Sequence, residues 1–145
     1  MAEALIELDH VEKDYVSGPN VVRALRDVDL RIDAGDMVAI VGTSGSGKST
    51  MMNIIGCLDR PSSGTYRVAG IDVETLTSDQ LAALRCRTFG FVFQRFNLLP
   101  AITASENVEI PAAYAGRSKR DRMERAKKLL ARLGLGERWH HKPTE

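Results

Sequence analysis

No apolar run in this chain approaches the ~20 residues needed to cross a bilayer, which excludes a membrane-spanning helix among them. The first nine residues are acidic and lack a sustained apolar stretch, so they do not read as a signal peptide. Cysteine is scarce. Cys57 and Cys86 stand far apart, with no partner at metal-ligand spacing, and are expected to be buried free thiols in a reducing compartment. A dominant charge is lacking too, and a net charge of +1 argues against a nucleic-acid-binding protein. Repeats and low-complexity tracts are absent. What remains is globular: 43% hydrophobic and 27% charged residues over 145 positions. That suits a soluble intracellular chain with one core, too short for two ordinary domains.

Within that plain composition, Gly42-Thr43-Ser44-Gly45-Ser46-Gly47-Lys48-Ser49 fits the phosphate-binding pattern G-x-x-x-x-G-K-[ST] at every fixed position. The apolar run Met37–Val41 leads in as a buried strand, and Thr50–Ile55 leads out as a helix. Strand, glycine loop and helix N-terminus together make an oxyanion site. Glycines let backbone N–H groups point into one concavity. Lys48 then reaches the outer phosphates, and the Ser49 hydroxyl is a ligand for Mg²⁺. A nucleoside triphosphate is the expected ligand.

Leu5–Leu8, Val21–Leu25 and Val28–Ile32 read as strands, with turns at Gly18-Pro19-Asn20 and Ala34-Gly35-Asp36. Thr65–Val68 reads as another strand, closed by Gly70. Thr77 and Gln80 have capping-box spacing, as do Thr103 and Glu106 ahead of a helix to Tyr114. Phe89–Phe93 is apolar on both faces and is expected to be a central strand. Ser118 caps the longest helix, with Met123, Ala126, Leu129, Leu130 and Leu133 as its apolar stripe and Gly134 at its C-terminal end. Its basic outer face reads as a solvated surface, or as one that meets anionic lipid or a partner.

Four segments carry a resemblance: Gly42–Thr50, Cys57–Thr65, Phe89–Pro100 and Thr103–Val108. Through them the chain resembles the nucleotide-binding domain of ATP-binding-cassette (ABC) transporters. Within that family it is most similar to the branch of MacB-type macrolide exporters and LolD-type lipoprotein-releasing ATPases. The glycine loop alone says only P-loop NTPase, whereas the phenylalanine-rich segment ending in Gln94-Arg95 is more specific. The resemblance implies an α/β fold in which an antiparallel β subdomain packs on a P-loop core sheet, followed by the start of a helical subdomain. It implies one ATP-binding domain over residues 1–145, with ATP and Mg²⁺ as cofactors. Tyr15 stands where the family's base-stacking aromatic stands, and the loop residues 42–50 hold the phosphates. Gln94 stands where a glutamine ligates Mg²⁺ beside Ser49. Phe96, Leu98 and Leu99 either line the groove that receives the membrane domain or plug a small core of the helical subdomain.

The chain stops at Glu145, where family members continue into the signature Leu-Ser-Gly-Gly-Gln. The Walker B aspartate, catalytic glutamate and switch histidine have no counterpart here, and His140 and His141 read as surface residues. The resemblance therefore implies an ATP hydrolase as the complete protein, with the 145-residue chain inactive by itself and its sheet lacking the C-terminal strands. Implied partners are a membrane domain on the same or a separate chain, and a second nucleotide-binding domain in a head-to-tail dimer. MacB-type proteins add a periplasmic adaptor and an outer-membrane channel. The implied place is the cytoplasmic face of the inner membrane. An FtsE-type ATPase that drives remodelling rather than transport, and a non-catalytic nucleotide-binding fragment, are the alternative readings.

Overall fold

The computed structural model describes residues 4–145. Its contacts divide the chain into two units, one running to Arg85 and the other starting at Cys86.

The first unit is built on an antiparallel hairpin. Strand β1 (Ala4–Ser17) turns through Gly18, at φ +57°, into β2 (Asn20–Asp33). The two strands expected over 21–25 and 28–32 are one continuous strand with irregular register. β1 also pairs with β3 (Ser63–Val68), which pairs with the two-residue β4 (Ile71–Asp72), giving the order β2-β1-β3-β4. Along β1 the buried residues are Ile6, Leu8 and then Val11. That step of three follows from the register shift between Leu8 and Val11, where an added residue lets His10 point outward without breaking the apolar face. Leu25, Cys57, Tyr66, Val68, Val73 and Leu81 complete the core together with Ile54 of helix α1 (Lys48–Ile55).

Tyr66 is fully buried. Its hydroxyl donates to the Ile55 carbonyl, and the Cys57 thiol lies 3.8 Å from the same oxygen. Burial raises the pKa of the Tyr66 phenol and also that of the Cys57 thiol, so both stay neutral. The expectation of two buried thiols holds for Cys57 alone, because Cys86 is exposed. Cys86 belongs to helix α2 (Ser78–Thr88), whose buried residue is Leu81. Five residues further on, a helix has turned ~140° away from that side.

Two expected strands do not form. Met37–Val41 and Phe89–Phe93 carry no strand pairing among the described residues. Met37 and Val92 are fully exposed, and Val41 nearly so. A strand is held by hydrogen bonds to a neighbour, and apolar content alone does not supply one. Phe89–Phe93 nevertheless alternates as extended chain does. Phe91 lies 6.3 Å from Phe89 and 5.7 Å from Phe93 between ring centroids, the second pair stacked.

The second unit is helical. Helix α3 (Ala104–Tyr114) starts at a capping box in which Thr103 and Glu106 bond each other's backbone amides. Backbone carbonyls of Trp139 and His141 take the Ser105 and Ala104 amides, so two more first-turn donors are satisfied. Helix α4 (Lys119–Arg132) is capped by Ser118 and ends in a left-handed Gly134, with the Leu135 amide on the Leu130 carbonyl and the Gly134 amide on Ala131. Only Ala126 and Leu130 of its expected stripe are buried, whereas Met123, Leu129 and Leu133 are exposed. Phe96, Leu98 and Leu99 are exposed too, so the structure does not hold them as a core plug.

Candidate functional site

Four α-helices begin among the described residues, and one begins differently. α2, α3 and α4 each start at a hydroxyl that accepts a backbone amide: Thr77, Thr103 and Ser118. α1 starts at Gly47, with no side-chain cap and no acidic residue in its first turn. Its leading amides thus meet neither of the groups that usually satisfy them, and the partial positive charge of the helix end stays open to an anion.

The loop before α1 is tightly curled and packs against β2 at that end. Gly47 has φ +89°, and a Cβ there would lie 2.5 Å from the Ala24 carbonyl oxygen of β2. A Cβ on Gly42 would lie 2.6 Å from the Ser46 hydroxyl oxygen. At Gly47 the loop comes closer to the β2 backbone than a side chain permits, whereas at Gly42 the neighbour is the movable Ser46 hydroxyl. The Ser46 amide closes a tight turn onto the Thr43 carbonyl at 3.3 Å. Lys48 reaches back into the curl, with Nζ 2.9 Å from the Gly42 carbonyl and within bonding range of the Thr43 carbonyl and the Ser46 hydroxyl. One ammonium lies in this curl beside an uncapped helix start, and both suit a chain of phosphates. Thr43, Ser44, Gly45 and Ser49 are exposed around it, and Thr50 is half-buried.

Tyr15 lies near the end of β1 in the same unit, 41% exposed. Its hydroxyl donates to Asp59 Oδ2 at 3.0 Å, and Lys13 Nζ stands 5.0 Å from its ring centroid. Lys13 also donates to Asp59 Oδ1 and to the Arg60 carbonyl, each at 2.7 Å. Partial burial pulls the Asp59 carboxyl upward, but the bonds from Lys13, the Arg60 amide and Tyr15 outweigh it and hold the group below its ordinary value. Sequence reasoning passed over Lys13 and Asp59. The available signal was Lys13 standing two residues before Tyr15, and Asp59 standing within the segment Cys57–Thr65. Gln94 belongs to the second unit and is exposed at the end of the extended phenylalanine segment.

A glycine loop leading into an uncapped helix, beside an antiparallel sheet, marks an α/β fold of the P-loop type. The chain belongs to the ABC transporter family, whose sequence profile matches residues 25–145. It is 60% identical over its full length to a macrolide export ATP-binding/permease protein MacB of Hyphomonas neptunium, and spans 22% of that protein. The MacB 1 protein of Yersinia pestis is 57% identical over 98% of this chain, again 22% of its own length. Among solved structures, the ATP-binding cassette MJ0796 in a dimeric post-hydrolysis state bound to ADP and Pi superposes with a TM-score of 0.86 at 43% identity. That match covers 96% of this chain and 62% of the cassette. A second dimeric structure of MJ0796 gives a TM-score of 0.85 at 45% identity.

Proposed function

We propose that this chain is the ATP-binding part of an ABC transporter ATPase that powers export across the inner membrane, with macrolide-type efflux as its work. The observation that carries the reading is the uncapped start of α1, where Gly47 and the Lys48 ammonium form an anion cradle. Identity of 57–60% to MacB proteins supports the transport assignment.

In this reading the backbone amides from Gly42 to Thr50 hold the α- and β-phosphates, and Lys48 follows the charge of the β- and γ-phosphates. Gly47 lets the loop pack directly on the Ala24 carbonyl of β2, which fixes where the cradle begins. Tyr15 offers its ring to the base, since every nucleobase has a π-face. Ser49 and Gln94 would hold Mg²⁺, which takes hydroxyl and amide oxygens and neutralises phosphate charge when bound. A second cassette is the partner we infer, because the neighbouring cassettes are described as dimeric. The membrane domain is the other, as the word permease in the relatives' names suggests. A periplasmic adaptor and an outer-membrane channel would complete the export path, with the cassette at the cytoplasmic face.

The test is Lys48→Ala in the full-length protein. Binding of a fluorescent ATP analogue and ATP turnover should both be lost, as should macrolide resistance in a sensitised bacterial host. Nucleotide affinity and turnover like those of the parent would overturn the site. Turnover that is lost while resistance persists would overturn the export assignment.

A further inference from the structure

We propose that Asp59, paired with Lys13, is a positioning residue that sets the plane of the Tyr15 ring for stacking on the nucleotide base. The proposal rests on the reading of Tyr15 as the base platform. An exposed aromatic ring ordinarily changes rotamer within nanoseconds, and a base that stacks on such a ring must first stop it. Tyr15 is held at two points. Its hydroxyl is tied to Asp59 Oδ2 at 3.0 Å, and its ring carries the Lys13 ammonium 5.0 Å from the centroid. A tether at the tip and a contact on the face fix the plane together, which neither does alone.

The holding groups are themselves fixed. The Asp59 amide donates to the Asn53 carbonyl of α1 at 3.2 Å, and Asp59 Oδ1 takes both Lys13 Nζ and the Arg60 amide at 2.7 Å. The Lys13 side chain is only 12% exposed, and its remaining reach goes to the Arg60 carbonyl at 2.7 Å. The helix that anchors Asp59 through Asn53 is the same one whose first turn forms the phosphate cradle. Base platform and phosphate cradle are therefore referenced to a single rigid element. The cation on the ring has a second effect: it draws on the π-electrons and suits the ring to a base with electron-rich atoms.

A merely structural staple between β1 and the end of α1 would make a different demand. Its loss would loosen α1 and weaken phosphate binding together with base binding. A positioning role shows in the base alone. The experiment compares the affinity of the full-length protein for ATP with its affinity for inorganic tripolyphosphate, which lacks base and sugar. Tyr15→Ala should weaken ATP binding about 10-fold and leave tripolyphosphate unchanged. Asp59→Ala should weaken ATP binding about threefold or more, again with tripolyphosphate unchanged. In the Tyr15→Ala background, Asp59→Ala should add nothing, because its effect passes through the ring.

ATP affinity kept in Asp59→Ala but lost in Tyr15→Ala would overturn the positioning role and leave the platform reading standing. ATP affinity kept in Tyr15→Ala would remove the platform itself. An equal loss of both ligands in Asp59→Ala would reduce Asp59 to a structural staple. Where Asp59→Ala does not fold, Tyr15→Phe is decisive, since it keeps the ring and the ion pair and deletes only the tether. Parent-like ATP affinity in that variant overturns the proposal, and a loss confined to ATP sustains it.

Discussion

A Cβ placed on Gly64 would lie 2.3 Å from the carbonyl oxygen of His10 and 2.6 Å from the Val11 Cα. β3 thus crosses the irregular stretch of β1 with backbone against backbone, at a point where only hydrogen fits. Gly64 also has φ +87°, so a side chain there is strained even before it collides. Gly64→Ala should lower the unfolding free energy by about 2–3 kcal/mol. A shift of the urea midpoint toward lower denaturant at unchanged slope would report it, and an unchanged midpoint would show that β3 moves aside freely.

His10 and Asp27 face each other across the same irregularity, with His10 Nδ1 2.6 Å from Asp27 Oδ1 and both residues at positive φ. The Asp27 hydrogen bond, then the charge of Asp29, then those of Asp27 and Asp9, raise the imidazole above its ordinary 6.5. A raised folded value means the pairing stabilises the protein fully below pH 6.5 and is lost as pH rises through the higher value. Asp27→Asn should bring the His10 titration midpoint back down in an NMR experiment. A midpoint that does not move would show that Asp9 and Asp29 carry the shift instead.

Gln94→Ala should separate binding from turnover in the full-length protein. An amide oxygen is one of several ligands Mg²⁺ takes, so ATP should still bind through the loop and Lys48. Turnover should fall by roughly 10-fold or more, because the metal's placement is disturbed. Parent-like turnover would remove Gln94 from the site.

The 145 residues expressed alone should self-associate. Met37, Val41, Val92 and Phe96 are almost wholly exposed, and the first three lie in segments with no strand pairing among the described residues. Unpaired extended chain with apolar side chains is a template for another copy. Light scattering should find species above the monomer, with strong binding of a hydrophobic dye. A monodisperse, dye-silent monomer would contradict this.

The features legible in the sequence were those decided within a few residues. The glycine loop, the three hydroxyl caps at Thr77, Thr103 and Ser118, and the left-handed Gly134 all follow from local spacing. Met37–Val41 and Phe89–Phe93 read as strands yet pair with none among the described residues, because apolar content says that a strand is wanted and nothing about whether a neighbour exists. Leu129 and Leu133 of the apolar stripe are exposed for a related reason: periodicity names a face of α4, and packing decides how much of that face is covered. The Tyr15–Asp59 bond joins positions 44 residues apart, and no local pattern reaches that far.

Burial gives the two cysteines different clocks. Cys86 is exposed, so a thiol reagent consumes it at the reagent's own pace, whereas Cys57 must wait until the fold opens around it. The ratio of its labelling rate to that of an unprotected thiol is then the fraction of time spent open. Tyr66 of β3 contacts the sulfur, and Arg85 of α2 bonds the Cys57 carbonyl at 2.9 Å, so this opening is that of the unit's centre and not the fraying of an end. A single sulfur atom thereby reads out, under native conditions and without denaturant, how firmly the unit bearing the phosphate loop stays shut. Ligands that grip the loop should slow that clock in proportion to their occupancy.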